Sequence, residues 1–370
     1  MARHVVINLL LVCSLCVMFT DLSASLKIVK GIHAIENVVT NVVEDLIADL
    51  TMLDDDNNPV HIDLNLNYPE TAAETKQNLH YTVFFYLYTK NNRDNPEKLF
   101  VDDVDVLKKS QFDPKRPTKF VTHGWINSFR SAACVEVRNA LLEHDDYNVI
   151  VVDWSSISLK PYIWSSNRVV MIGQYVASMI DFLAEQGMDV SETTTIGHSL
   201  GAHVAGLAAY YAKGKVGYVV GLDPALPNFQ LAGPGSRISH NDARYVEIIH
   251  TNGGQLGFKS PLGDSDFYPN GGNSQAGCLL AFHSACSHLR AFHFYAESIN
   301  SKLGFHAVRC DSYANFERGK CDSNPVALMG GARPDATATG TYYLRTNKLP
   351  KYAQGKFTKS HSAEKHGNEL

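Results

Sequence analysis

The sequence predicts an α/β fold in which a mostly parallel central sheet has helices on both faces. Strand patterns alternate with helix patterns from about residue 79 onward. The segment YNVIVVDW (147–154) is almost continuously apolar, as expected of a strand buried on both sheet faces. Residues 168–185 repeat apolar residues at intervals of three and four and are followed by Gly187, a pattern typical of a helix and its end.

The other predicted elements continue this alternation. The further strand patterns are 80–90, 117–125, 193–196, 216–223 and 244–251. The further helix patterns are 130–145, 200–212 and 287–299. This order of elements is typical of an α/β domain rather than of separate all-helical and all-strand regions.

Composition limits the possible function classes. Of the 370 residues, 45% are hydrophobic and 19% are charged, so the chain can bury a sizeable core. The net charge of −5 provides no electrostatic basis for binding nucleic acid.

The N-terminus has the pattern of a secretory signal. Arg3 and His4 precede an apolar run (5–19), and the small residues Ser23 and Ala24 follow it. The run is shorter than the roughly 20 residues that span a bilayer, which disfavours a membrane anchor. We therefore predict a signal peptide at 1–24, and a secreted, extracellular protein.

Three further regions complete the predicted organisation. Residues 25–78 are acidic and include a helical-looking stretch at Ile35–Leu53, so we interpret them as an N-terminal extension or a propeptide. Residues 79–345 form the predicted α/β domain. Residues 346–370 form a polar C-terminal tail.

The cysteines suit an oxidising compartment. Two lie in the predicted signal peptide, and the close pairs Cys278–Cys286 and Cys310–Cys321 are the natural disulfides. Cys134 is then left over within a helix pattern, and we expect it to be a buried free thiol.

The most informative motif is Gly197-His198-Ser199-Leu200-Gly201, between a strand pattern and a helix pattern. In this context the chain reverses sharply at the central residue, and the flanking glycines let strand and helix approach closely. Ser199 would then be exposed above the sheet edge as a nucleophile. The alternative is an ordinary turn in which Ser199 caps the helix.

A serine nucleophile needs a base and an orienting carboxylate, which follow it in the order acid, then histidine. Asp223 fits the acid because it ends the next strand pattern. Spacing alone leaves the base open among His240, His250, His283, His288, His293, His306, His361 and His366. Of these, His288 is favoured because Cys286 and the start of a helix pattern would hold it. The amides of Leu200 and Trp125 are the candidate oxyanion donors.

An ordered set of motifs closely resembles the secreted pancreatic-lipase superfamily, in particular its insect neutral-lipase and phospholipase A1-like members. The motifs are FVTHGW, VIVVDW, TIGHSLGAHVAG, GLDPALP, YVEIIHT, DFYPNGG and CSHLRAF. The resemblance implies the α/β-hydrolase fold over about 79–345. It also implies Ser199 as nucleophile, Asp223 as acid, His288 as base, and Trp125 and Leu200 as oxyanion donors.

The chain departs from the larger digestive members of that superfamily in three ways. It ends before a C-terminal β-sandwich, so we expect no such domain and no colipase. In GPGSRISHND (233–242), Pro234 and Ser239 replace carboxylates of the family's calcium loop, so we predict no metal and no cofactor. Only seven residues, LLAFHSA, separate Cys278 from Cys286, which implies a very short lid.

We therefore interpret the chain as a secreted serine lipase that hydrolyses lipid carboxylic esters at a membrane or lipid-droplet interface. In this superfamily a short lid accompanies phospholipase A1 activity, so we favour release of the sn-1 acyl chain from phospholipids. A triacylglycerol lipase of the same family is the alternative. A catalytically silent yolk or lipid-binding protein is an alternative of another class, which the presence of Ser199 disfavours.

Overall fold

The computed structural model describes residues 51–62, 68–278 and 283–356, all within one compact unit that begins at Thr51. The predicted signal peptide (1–24) and most of the acidic segment that follows it lie outside the described residues. The sequence pattern predicts a helix over Ile35–Leu53. The part of this stretch that the structure describes, Thr51–Leu53, is a β-strand, so the helix prediction is wrong there.

The strands form one two-stranded hairpin and one large sheet. The hairpin pairs β1 (Thr51–Leu53) with β2 (Pro59–His61). The other strands are β3 (Phe84–Tyr88), β4 (Glu97–Leu99), β5 (Thr118–Thr122), β6 (Asn148–Asp153), β7 (Thr194–His198), β8 (Tyr218–Leu222), β9 (Tyr245–Ile249), β10 (Ser265–Pro269), β11 (His306–Arg309), β12 (Val326–Leu328) and β13 (Gly340–Leu344). They form an eleven-stranded sheet in the order β12-β11-β13-β10-β9-β8-β7-β5-β6-β3-β4.

The middle of this sheet is parallel and its ends are antiparallel. The six central pairings, from β6–β5 to β10–β13, are parallel, whereas both outer ends pair antiparallel. Every residue of β5, β6, β7, β9 and β10 is buried, which explains why the continuous apolar pattern of β6 predicts a strand covered on both faces.

Ten α-helices connect the strands in the described residues. They are α1 (Ala72–Gln77), α2 (Leu79–Thr82), α3 (Val104–Lys109), α4 (Ala132–His144), α5 (Ser155–Ser158), α6 (Tyr162–Ser166), α7 (Val169–Glu185), α8 (Leu200–Tyr211), α9 (His283–Asn300) and α10 (Tyr313–Glu317). The longer helices match the predicted ones closely, but α9 begins four residues earlier than predicted. No helix in the described ranges is long and apolar enough to span a bilayer.

Small residues allow α8 to pack tightly against α7. A Cβ atom added to Gly173 on α7 would lie 2.6 Å from the Cβ of Leu207 on α8. Ala202, Ala205 and Ala208 are all buried on α8. This close contact holds α8 firmly below the turn that carries Ser199.

Residues before and after the predicted domain (79–345) also contact it. Glu70 accepts hydrogen bonds at its carbonyl oxygen from Trp164 Nε1 and Arg168 Nη2. After residue 345, Tyr352 and Ala353 are buried and donate their amides to the Glu297 carboxylate. The packed part of the chain therefore extends beyond 79–345 at both ends, and processing of the acidic segment stays a prediction.

The cysteines are arranged as predicted. The structure contains the disulfides Cys278–Cys286 and Cys310–Cys321. Cys134 is a free, fully buried thiol on α4. Burial raises the pKa of this thiol to about 12, so it is held in its unreactive protonated form.

Candidate active site

Ser199 lies in a strained turn at the carboxyl end of a central strand. It follows β7 directly, precedes α8, and has φ 58° and ψ −122°. This backbone conformation is costly for a residue with a side chain. The Ser199 side chain makes no capping hydrogen bond to α8. The alternative in which Ser199 simply caps the helix is therefore contradicted.

Close backbone approaches around Ser199 explain the glycines of the motif. A Cβ atom on Gly197 would lie 2.0 Å from the carbonyl oxygen of Gly201. A Cβ atom on Gly201 would lie 2.3 Å from the carbonyl oxygen of His123. Because neither position has room for a side chain, strand, turn and helix can pack together only with glycine at both.

Asp223 and His288 are in direct contact and fully buried. The carboxylate oxygen Oδ2 of Asp223 lies 2.5 Å from Nδ1 of His288. The other oxygen, Oδ1, accepts hydrogen bonds from the amides of Thr251 (2.8 Å) and Asn252 (3.1 Å). These hydrogen bonds fix the position of the carboxylate. Asp223 thereby orients the imidazole of His288.

His288 has the free ring nitrogen that a base requires. Its Nε2 is buried and has no hydrogen-bond partner among the described residues. His250, by contrast, has both ring nitrogens occupied, by Phe258 O and Asp266 Oδ1. Half-buried His293 contacts Glu136. The remaining candidates are exposed or half-buried (His240, His283, His306) or lie outside the described residues (His361, His366).

Ser199 is brought to the same edge as this pair. Its amide donates to the carbonyl oxygen of Leu222, the residue before Asp223. The neighbouring ring of His198 is centred 4.5 Å from the ring of His288. The structure has no hydrogen bond between Ser199 and His288, a contact that in hydrolases often forms only with substrate present.

The two candidate oxyanion amides lie beside Ser199. Leu200 is the first residue of α8, where amides have no partner inside the helix. Gly124, next to Trp125, approaches so closely that an added Cβ atom would lie 2.9 Å from Ser199 Cβ. Trp125 is held by its indole nitrogen, which donates to Lys160 O at 2.7 Å. The residues of both predicted donors therefore lie next to Ser199 or next to its neighbour Gly124.

The sequence does not single out His198 or the amides that hold Asp223. His198 Nε2 donates to the carbonyl oxygen of His288 at 3.1 Å. Burial and the adjacent His288 lower the pKa of His198 well below its usual value, so it stays neutral. Thr251 and Asn252 act through their backbone amides, which leave no signal in residue type.

The loop at 233–242 does not fit a calcium ion. Asp242 supplies its carboxylate, and burial raises the pKa of that group to about 7. The Arg237 guanidinium already donates to the carbonyl oxygen of Ile238 (2.6 Å) and to Ser239 Oγ (3.0 Å). A hard cation needs several anionic or carbonyl oxygens, and here a guanidinium competes for them.

The chain is similar to known lipases. The sequence model of the Lipase family matches residues 51–352. The pancreatic triacylglycerol lipase of Cavia porcellus is 35% identical over 262 residues, which are 65% of this chain and 56% of that protein. The pancreatic lipase-related protein 2 of Rattus norvegicus is 33% identical, over 74% of this chain and 65% of that protein.

One similar protein carries a different description. The inactive pancreatic lipase-related protein 1 of Mus musculus is 35% identical over 74% of this chain and 64% of its own length.

Among solved structures, an α/β hydrolase from a Medee basin deep-sea metagenome library aligns with 47% of this chain and 72% of its own, at 18% identity and a TM-score of 0.31.

The chain spans 56–65% of the length of these three curated relatives. The family match covers most of the chain, and it includes the predicted domain at 79–345. The match agrees with the resemblance that the ordered motifs indicate. With an α/β-hydrolase fold and a sequence that matches from residue 51 to residue 352, this chain belongs to the Lipase family, within the pancreatic-lipase superfamily.

Proposed function

We propose that this chain is a secreted serine hydrolase that cleaves carboxylic ester bonds of lipids, with Ser199 as nucleophile, His288 as base and Asp223 as the orienting acid. One observation carries the proposal. His288 donates Nδ1 to a buried carboxylate at 2.5 Å and keeps Nε2 open, next to a strained serine turn. This is the arrangement that activates a serine hydroxyl.

The proposed reaction uses groups of the chain alone. Ser199 Oγ attacks the ester carbonyl carbon while its proton passes to His288 Nε2. The amides of Trp125 and Leu200 stabilise the oxyanion, and the tetrahedral intermediate then collapses as His288 returns the proton to the departing alcohol. Water, deprotonated by His288 Nε2, then attacks the acyl-serine carbonyl carbon. The bond to Ser199 Oγ breaks as His288 returns the proton to that oxygen, and the fatty acid leaves. Asp223 keeps its contact with Nδ1 and stabilises the imidazolium in both steps.

For the substrate class, we propose phospholipase A1-type release of the sn-1 acyl chain. Its support is the short segment between the bridged Cys278 and Cys286, of which His283–Ala285 already belongs to α9. A segment of that length is about 10 Å long as a helix and too small to cover a lipid-sized cleft. The triacylglycerol alternative is supported by relatives whose names describe triacylglycerol lipases.

A substrate panel tests both levels of the proposal. The wild type is incubated with a phospholipid carrying different acyl chains at sn-1 and sn-2, and separately with a triacylglycerol. We expect the sn-1 fatty acid from the phospholipid, and no product from either substrate with Ser199→Ala. Fatty acid from the triacylglycerol alone would contradict the phospholipase proposal and leave the esterase proposal standing.

The second candidate function is that of a catalytically silent lipid-binding protein. It is supported by a relative whose name describes an inactive lipase-related protein. A serine-reactive phosphonate separates the two. We expect the probe to add its mass to the peptide containing Ser199 and to leave Ser199→Ala unlabelled. Equal labelling of the two proteins, or no labelling of either, would support the silent alternative.

We propose a lipid surface as the partner. Leu159 and Leu231 are 59% and 79% exposed, on two loops that border the candidate site. The first loop contacts Trp125 through Lys160, and Tyr162 OH donates to Pro227 O on the second. Two exposed leucines on joined loops beside Ser199 suit contact with a membrane or lipid droplet, as expected for an extracellular lipase.

A further inference from the structure

A second His–Asp pair is buried near the first. His250 follows β9 and Asp266 lies on β10, and both are essentially inaccessible to solvent. His250 Nε2 lies 2.8 Å from Asp266 Oδ1, and Nδ1 lies 2.7 Å from the carbonyl oxygen of Phe258. The ring of Tyr268 stacks on His250 with centroids 4.3 Å apart.

The hydrogen bonds occupy both ring nitrogens of His250. A carbonyl oxygen can only accept, so Nδ1 donates to Phe258 O. Asp266 Oδ1 also accepts from the Leu262 amide (2.8 Å), and Oδ2 accepts from the Gly263 amide (3.1 Å). His250 therefore has no nitrogen free to act as a base, and the pair can only hold neighbouring groups in place.

Apart from their contact with each other, these two side chains form hydrogen bonds, within the described residues, only to loop 251–264. His250 donates to Phe258 O, and Asp266 accepts from the amides of Leu262 and Gly263. Tyr268, stacked on His250, donates its hydroxyl to Lys259 O at 3.0 Å. The His250–Asp266 pair thus secures the second half of loop 251–264 to the ends of β9 and β10.

The first half of the same loop holds Asp223. The amides of Thr251 and Asn252 donate to Asp223 Oδ1. Gly257 lies against the carboxylate, since a Cβ atom added there would be 2.4 Å from Oδ1. The Phe258 amide, one residue on, donates to Pro224 O at 2.9 Å. Any shift of this loop therefore moves the donors of Asp223.

We infer that His250 and Asp266 are positioning residues for the candidate active site. Their buried hydrogen-bonded pair holds loop 251–264 so that its amides keep Asp223 fixed and directed at His288. This inference rests on the proposed function, because it assigns the pair a role in the same ester hydrolysis. Neither side chain touches Ser199 or substrate, so the effect on catalysis passes through Asp223.

The test compares Asp266→Asn and His250→Gln with the wild type on a water-soluble short-chain ester below its micelle concentration. We expect kcat to fall about tenfold or more in both variants, with KM changed less than twofold, because misplacement of a positioning loop affects chemistry more than binding.

A matched control is His293→Gln, which removes a 2.8 Å histidine–carboxylate contact on the helix of His288 without touching loop 251–264. We expect this variant to keep the wild-type kcat. Unchanged kcat in Asp266→Asn and His250→Gln would overturn the inference. So would failure of both variants to fold, since the pair would then be structural only. Inactivity of the wild type on every ester would instead contradict the proposed function.

Discussion

Gly124 lies between two groups of the proposed mechanism and has no room for a side chain. An added Cβ atom would be 2.9 Å from Ser199 Cβ and 3.2 Å from His198 O. The next residue supplies the Trp125 amide. A methyl group at residue 124 therefore has to displace either the nucleophile or the proposed oxyanion donor.

We predict that Gly124→Ala lowers kcat about 100-fold and changes the melting temperature little, because a displacement of a few tenths of an ångström misaligns Ser199 with the oxyanion amide. The measurement is steady-state hydrolysis of a soluble ester, with melting followed by calorimetry. Gly233→Ala is the control, since nothing lies within 4 Å of a Cβ atom added there. Wild-type kcat in Gly124→Ala would contradict the assignment of this turn to the oxyanion site.

At the scale of elements, β9 carries a buried acid and is followed directly by a buried histidine. Its residue Glu247 is fully buried, with Oε1 accepting from the Gly330 amide at 2.8 Å and Oε2 without a partner among the described residues. Burial raises the pKa of Glu247 to about 8. The strand thus holds a protonated carboxylic acid in the sheet, and His250 follows its end.

A raised pKa makes this acid a source of pH-dependent stability. Between the pKa of about 4.3 in the unfolded chain and about 8 in the fold, the folded state binds more protons. Stability is therefore greatest below the unfolded pKa and falls as pH rises through this window. We predict that the melting temperature of wild type, relative to Glu247→Gln, decreases by about 5 °C from pH 5 to pH 8.

Glutamine keeps the acceptor for the Gly330 amide and cannot ionise, so the difference between the two proteins isolates the ionisation of Glu247. The exposed Glu185, which contacts Lys213, supplies the control Glu185→Gln. That control should follow the wild-type pH dependence. A constant difference between wild type and Glu247→Gln from pH 5 to pH 8 would show that Glu247 does not titrate in this range.

At the scale of the whole molecule, the candidate site occupies one end of the sheet. Ser199, Asp223 and the loop after His250 all follow the carboxyl ends of parallel strands, and α9 starts at the same end. Leu303 follows the other end of α9, whose eighteen residues extend about 27 Å. Lipid binding can therefore be compared between an exposed residue near Ser199 and one at the opposite end of α9.

We predict that the double variant Leu159→Ser/Leu231→Ser loses about 30-fold or more in binding to phosphatidylcholine vesicles, because each leucine contributes about 1–2 kcal/mol when it enters an apolar phase. Vesicle sedimentation measures this binding. Turnover of a soluble ester should stay at the wild-type level. Leu303→Ser, at a residue that is 54% exposed, is the control and should bind normally. Equal losses in the two variants would contradict a lipid surface at this end.

Much of the fold follows from local pattern. The apolar run of β6, the 3–4 spacing of α7 and the glycines around Ser199 each reflect a requirement of nearby backbone, so residue type alone predicts them. Element ends were predicted less well. Residues 80–82 read as strand but lie in α2, and α9 begins four residues earlier than its apolar pattern. Contacts with distant residues decide these ends.

Residue pattern alone is enough to predict the strand–turn–helix around Ser199, the position of Asp223 after the next strand, the two disulfide pairs and membership of the Lipase family. The difference between the histidines appears only in the folded protein. His250 and His288 each contact a buried aspartate, but Phe258 occupies the second nitrogen of His250, whereas that of His288 is open. The difference arises because a loop folds back on the sheet and places the backbone carbonyl of Phe258 next to His250. Nearly every residue has the same backbone groups, so residue type does not show which backbone group contacts a side chain.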